Sequence, residues 1–472
     1  MTPRTVLKYA IGPVGLGLLG FVSVPTVSWF FSSENIGILA LLQVVIGFGL
    51  MATTLGMDQT YAREYHSTAD KSGLLALCFW PGALFFILLF CLAFVIGFEK
   101  TSRLIFGVES SSLAVVAMLC IGFAFLQRFT SLIFRLQEKP LHFSFSQILP
   151  KLLFLSSALI LVFFLHYKNN LALPYSHLLG LSVSVVLFLI LTRSDWKAIA
   201  SPKLTLSLYL PGLRYGFPLV LTGIAAWALK AIDKVFLRSF SSLSELGVYS
   251  VAATIAAGAA ILTSVFNTIW APTVYKWAAE GDEGGRIEAA SQLVQLFVML
   301  IFTAGGLFSW LFLYVLPPEY IRVPTLIPAC LAPALIYALS EATTIGINVS
   351  RKTSYSIYAT LIALVCGVVA NWILVPILGA SGAAVSTSIA FFSFLIARAE
   401  FASRAWKKIP RTRLYTMTLL VTSIACLHAF DPASLRPYVY LLWFAFGCVT
   451  VLAYKRELFV LWNMRPSRLR RR

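Results

Sequence analysis

Acidic residues are scarce in this chain of 472 residues. Nineteen Asp and Glu stand against 37 Lys and Arg, for a formal net charge of +18. Charged residues of both signs reach only 12%, about half the share of a soluble domain. A solvated surface cannot be built from that supply. The seven cysteines all fall in apolar runs, with no CxxC pair and no Cys/His cluster. That removes a disulfide framework and a metal site, and leaves small apolar packing for the thiols. No GxxxxGK[ST] loop is present, so ATP phosphates have no cradle. What remains is 59% hydrophobic residues and a mean hydropathy of +0.85, a composition whose main solvent is lipid.

Fourteen apolar runs are candidate membrane spans. They lie near 9–31, 36–57, 73–97, 112–134, 145–166, 172–192, 212–237, 246–275, 289–315, 323–348, 355–378, 381–402, 413–430 and 437–460. The first is uncharged from Tyr9 to Ser33, longer than a signal-peptide core, and is read as an uncleaved helix. An even number of spans puts both termini on one side. Segments on that side hold 27 Lys and Arg and the opposite loops hold 6, so the positive-inside rule makes the termini cytoplasmic. The basic tail RPSRLRRR then reads as an anchor to anionic lipid, and nucleic acid is not an expected partner.

Span 7 is the most informative. Only fifteen uncharged residues, YGFPLVLTGIAAWAL, separate Arg214 from Lys230. They reach ~22 Å against a hydrocarbon core of ~30 Å. The helix therefore has to carry Lys230, Asp233 and Lys234 to membrane depth, each at about 2.5–3.5 kcal/mol on insertion scales. Lys230, Lys234 and Arg238 fall at i, i+4 and i+8 and form one stripe, which Trp227 extends by a turn. Two readings are open: a cationic wall of a polar cavity, or lysines that snorkel to lipid phosphates. Asp233 can pair with Lys230 at i+3. Arg128 in span 4 lies ~24 Å from Ser112 and is either a phosphate ligand or a second snorkelling cation. Glu341 in span 10, after Pro324, Pro328 and Pro333, is a carboxylate for proton or sodium coupling, or an ion-pair partner of Arg128 or a lysine. Asp58, Arg63 and Glu64 form a charge cluster at the end of span 2. Asn267, Asn348 and Asn371 are read as hydrogen-bonding residues between helices. Pro25 in span 1, with Gly216, Pro218 and Gly223 in span 7, makes these two helices bendable, or packs them closely.

The chain also repeats. FFSSENIGILALLQ follows span 1 and SFSSLSELGVYSVAA follows span 7; Gly37 and Gly247 are 210 residues apart, with six spans between. An even number per repeat inserts both halves the same way, a transporter architecture with its site between the halves. The expected division is 1–192 (spans 1–6), a cytoplasmic linker 193–211, 212–402 (spans 7–12), and 403–472 with spans 13–14 and the basic tail.

Three stretches carry a resemblance: GFGLMATTLGMDQTYARE, AIDKVFLRSFSSLSELGVYSVAA and NWILVPILGASGAAVSTSIA. Over roughly residues 1–402 the chain resembles the polysaccharide-transporter branch of the MOP superfamily, the Wzx-type O-antigen flippases. The resemblance implies an all-α polytopic fold of two six-helix lobes around a central cavity, plus two C-terminal helices found in some members. It implies a multi-pass protein of the bacterial inner membrane that exports an undecaprenyl-diphosphate-linked oligosaccharide. It is taken as a monomer, not an enzyme, with no cofactor beyond H+ or Na+ coupling. Membrane lipids and polysaccharide polymerase or assembly proteins are its expected partners. Lipid II flipping and multidrug export are alternatives within the superfamily. A membrane glycan polymerase or ligase would want a large outer loop, and none is present.

Overall fold

A computed structural model of the chain describes residues 3–200, 206–261, 285–350, 354–406, 411–430 and 436–463, together with residue 352 and single residues and pairs between 270 and 281. Asn267, with the rest of 262–269 in span 8, and the basic tail lie outside the described residues. Two compact units result, 1–250 and 251–472. They separate at a different point from the repeat boundary at 193–211, because the helix after that linker packs on the first unit.

The described residues are helices joined by short turns. Lipid offers no hydrogen bonds, so each crossing segment has to satisfy its own backbone. The first unit contains α1 (Pro3–Ser28), α2 (Ser33–Thr54), α3 (Met57–Glu64), α4 (Lys71–Ile96), α5 (Phe98–Phe106), α6 (Ser111–Leu136), α7 (Pro140–Phe163), α8 (Ala172–Leu191) and α9 (Leu206–Phe240), and α10 (Leu243–Ala257) starts in it. The second contains α11 (Arg286–Leu307), α12 (Val323–Cys330), α13 (Ala332–Thr343), α14 (Ile345–Val349), α15 (Ser354–Leu378), α16 (Ala380–Ala405), α17 (Thr412–Phe430), α18 (Arg436–Ala453) and α19 (Lys455–Asn463). Eleven helices among the described residues are long and apolar enough to cross a membrane. Leu243–Ala257 and Pro437–Ala453 are shorter apolar helices. The protein is an integral multi-pass membrane protein.

Two expected spans are broken helices. Span 2 ends at Thr54; Leu55 and Gly56 take positive φ of 47° and 74°, and α3 starts afresh. Span 10 divides into α12, α13 and α14; Pro333, at the start of α13, cannot donate to the preceding turn, which marks the first of the two breaks. The segment between the expected spans 73–97 and 112–134 is itself partly helical, as α5.

The repeated segments meet each other. Ser32 caps α2 by accepting from the Asn35 amide at 3.4 Å, and Ser242 caps α10 by accepting from Glu245 at 3.1 Å. Gly37 lies against the Leu243 carbonyl and Gly247 against the Ser33 carbonyl, so close that a Cβ at either would overlap the oxygen. Ser33 and Ser244 hydroxyls bond at 2.6 Å. Shifting Ser33 and Gly37 by 210 residues gives Leu243 and Gly247, so the contact is reciprocal, as between two copies of one motif. Only glycine lets two backbones approach this way.

Candidate functional site

In the first unit, α9 packs on α2, α3 and α4. Glycines set how close. Gly216 and Gly56 face each other with no room for a side chain on either. The Thr60 hydroxyl donates to the Gly212 carbonyl at 3.0 Å. Gly47 of α2 leaves space for the Trp227 indole, whose ring also meets Phe48 at 5.5 Å. Gly223 has nothing within 4 Å of a built Cβ, and Pro218 lies inside the helix with Pro211. Pro25 sits inside α1, where its carbonyl accepts from Ser28 at 2.7 Å.

Along α9, Lys230 is exposed and Lys234 half-buried, one turn apart. Asp233 is 3% exposed and accepts from the Tyr249 hydroxyl of α10. Arg238, the last member of the stripe, donates to the Arg103 and Leu104 carbonyls at 2.7 and 2.6 Å. It thus caps the end of α5, where orphan carbonyls favour a cation. Hydrogen bonding to the end of α5 sets Arg238 apart from the two lysines as a structural cation.

The break between α2 and α3 turns Asp58 inward. Arg128 of α6 gives both Nε and Nη2 to Asp58 Oδ2, at 2.9 and 2.7 Å. Asp58 is 7% exposed, whereas Arg128 is 38% exposed. Asp58 is therefore not part of a charge cluster with Arg63. Arg63 pairs with Glu64 at 3.3 Å and stacks on Tyr215 of α9 at 4.3 Å. Tyr65 lies at the end of α3, and burial raises its hydroxyl pKa, with the charge of Asp195 adding to the effect. Next to Arg128, Gln127 donates to the Ser146 carbonyl at 2.6 Å. Pro150 lies four residues on and lacks the N–H that would have bonded that carbonyl, so the glutamine completes a helix interrupted by proline.

In the second unit, Glu341 pairs with an arginine of the same unit. Arg398 of α16 donates to Glu341 Oε1 and to Ser340 Oγ, both at 2.7 Å, and lies over Phe394 at 5.2 Å. Arg398 lies inside the expected span 381–402, and α16, which continues to Ala405, buries it. The signal was present: FFSFLIARAEF stays apolar around the arginine, a pattern that does not stop a helix. A separate cavity of about 640 Å³ in this unit has Trp310, Arg322, His428 and Tyr440 among its lining residues; no sequence-predicted site residue lines it. Asn371 donates to the Gly367 carbonyl of its own helix at 2.8 Å.

Comparison with known proteins places this architecture. The polysaccharide biosynthesis protein family matches residues 6–277. Among solved structures, the lipid II flippase MurJ in an inward closed conformation superposes with a TM-score of 0.67 at 14% identity, covering 96% of this chain and 100% of its own. An inward-facing multidrug resistance transporter of the MATE family, MOP superfamily, reaches 0.59 at 14% identity, over 85% of this chain and 97% of its own. A MATE transporter from Vibrio cholerae reaches 0.54 at 13% identity, over 86% and 95%. No curated protein matches in sequence. At such identities the structures speak for the fold, and the family match covers more than half of the chain. The chain belongs to the polysaccharide biosynthesis protein family and has the fold of the MOP superfamily transporters.

Proposed function

We propose that this chain is a flippase. It moves an undecaprenyl-diphosphate-linked oligosaccharide, an O-antigen or exopolysaccharide repeat unit, from the inner to the outer leaflet by alternating access. The family match over residues 6–277 is the observation that carries the reading. The chemistry of the helices supports it. A diphosphate crossing hydrocarbon needs fixed positive charge away from bulk water. Lys230 and Lys234 offer that charge on one face of α9, with Trp227 beside them as an apolar, hydrogen-bonding ring. Arg128 offers it on α6, and there the phosphate has to displace Asp58. Pro218, Gly216 and Gly223 let α9 change shape, and Pro25 does so in α1. Glu341, coupled to H+ or Na+, supplies the driving step. The protein works in the bacterial inner membrane as a monomer with both termini cytoplasmic, passes its product to polymerase or assembly proteins, and carries out no covalent chemistry.

Lipid II is a second substrate reading. It is favoured by one observation: the lipid II flippase covers 96% of this chain, where the MATE structure covers 85%. Gene deletion separates the two. Loss of surface glycan with normal cell-wall synthesis is expected, restored by the wild-type gene and not by Lys234→Ala or Arg128→Ala. Intact surface glycan in a strain with no redundant exporter would falsify the assignment.

A further inference from the structure

One intramembrane cation has no place in that scheme. Lys151 stands near the middle of α7, eleven residues from Pro140 and twelve from Phe163. Each end of the helix is therefore about 16–18 Å away. A four-carbon stem does not reach that far, so the ammonium cannot snorkel to either interface. Among the described residues no carboxylate and no hydrogen-bond acceptor pairs with it. Its partner is a ring, Phe154. The Nζ atom lies 4.9 Å from the Phe154 ring centre, and His177 of α8 meets the same ring edge-on at 5.9 Å. The helices press together here: a Cβ on Gly180 would come within 2.6 Å of the Pro150 carbonyl. On α7, Lys151 shares a face with Ser144 and Gln147, seven and four residues earlier. That face meets α1, where Gly12 makes room for both. Lys151 and His177 are half-buried, so neither is closed off by packing.

An ammonium at this depth, over one aromatic ring and with no counter-charge, is stabilised when an anion arrives. Asp233, Arg128 and Arg398 all have protein partners. Lys151 has three N–H donors and a neighbouring imidazole able to add a fourth. We infer that Lys151 and His177 form a mid-membrane site for an anion of phosphate chemistry, separate from the α9 lysines. The flippase reading supplies only one source for that phosphate, the headgroup of a lipid diphosphate; a free phosphate is the other.

The test uses the full chain purified in detergent, in a Lys230→Gln/Lys234→Gln background that removes the α9 cations. The probes are inorganic diphosphate and farnesyl diphosphate, with farnesol as the uncharged control. Lys151→Gln is expected to weaken diphosphate binding about tenfold or more, and Lys151→Arg to retain it within about threefold. The unliganded Lys151→Gln protein is expected to melt no lower than its parent, because an unbalanced buried charge has gone. Tighter binding of farnesyl diphosphate than of inorganic diphosphate would identify a lipid headgroup, and equal binding the free anion. Binding unchanged within about twofold in Lys151→Gln overturns the site. So does a lowered unliganded Tm with binding intact, which would make Lys151 a packing residue. Surface glycan that survives gene deletion removes the flippase reading and leaves this binding result standing.

Discussion

Each unit holds an arginine–carboxylate pair among its helices, and the two pairs differ in how far the cation is enclosed. Arg398 is 7% exposed and divides its donors between Glu341, 22% exposed, and Ser340. Arg128 is 38% exposed, and its carboxylate Asp58 is 7% exposed. In the second unit the cation is sealed and the acid is partly open. In the first, the acid is sealed and the cation is open. Of the two cations Arg128 is the more exposed, and of the two carboxylates Glu341 is. The presence of an intramembrane pair thus says little about role; which member is exposed says more.

The largest expected effect comes from breaking the sealed side. Arg398→Ala leaves Glu341 and Ser340 without their donor and is expected to cost about 3–5 kcal/mol in unfolding measurements in detergent. A loss below about 1 kcal/mol would erase the contrast. Arg128→Ala, with its cation already open to surroundings, is expected to cost less stability, about 1–3 kcal/mol, while abolishing glycan export. Replacing both Arg398 and Glu341 by Met is expected to return stability to within about 1 kcal/mol of wild type, since apolar packing substitutes well for a buried pair. Export measured in that double variant sharpens the role of Glu341: a coupling carboxylate predicts no export, and a purely structural pair predicts normal export. The smallest effect is expected at Arg63→Ala, about 0–1 kcal/mol, because both Arg63 and Glu64 are exposed.

Much of the fold was readable because lipid imposes a simple rule: a long apolar run must be a helix. The repeat was readable from FSS and Gly at a fixed spacing, and its reciprocal packing followed from residues that only a close backbone crossing needs. Partners were harder. Nothing in the local sequence tells Asp58 to meet Arg128, seventy residues away, instead of Arg63 in the next turn; the break at Leu55–Gly56 decides it. The partner of Arg398 was hidden, since one arginine near a helix end looks the same whether it faces water or a carboxylate. Arg238 looked like a third cavity cation because helical spacing does not reveal that the end of α5 lies beside it.

The central claim is tested most directly by reconstitution. The purified chain is placed in liposomes carrying a lipid-diphosphate-linked oligosaccharide, and a sugar-cleaving enzyme added outside reports how much substrate is exposed over time. The account predicts that wild-type protein brings inner-leaflet substrate within reach of the enzyme and that Lys230→Gln/Lys234→Gln protein does so at the rate of empty liposomes. Wild-type protein that leaves the inner pool protected, or a double variant that flips as fast as wild type, would contradict it.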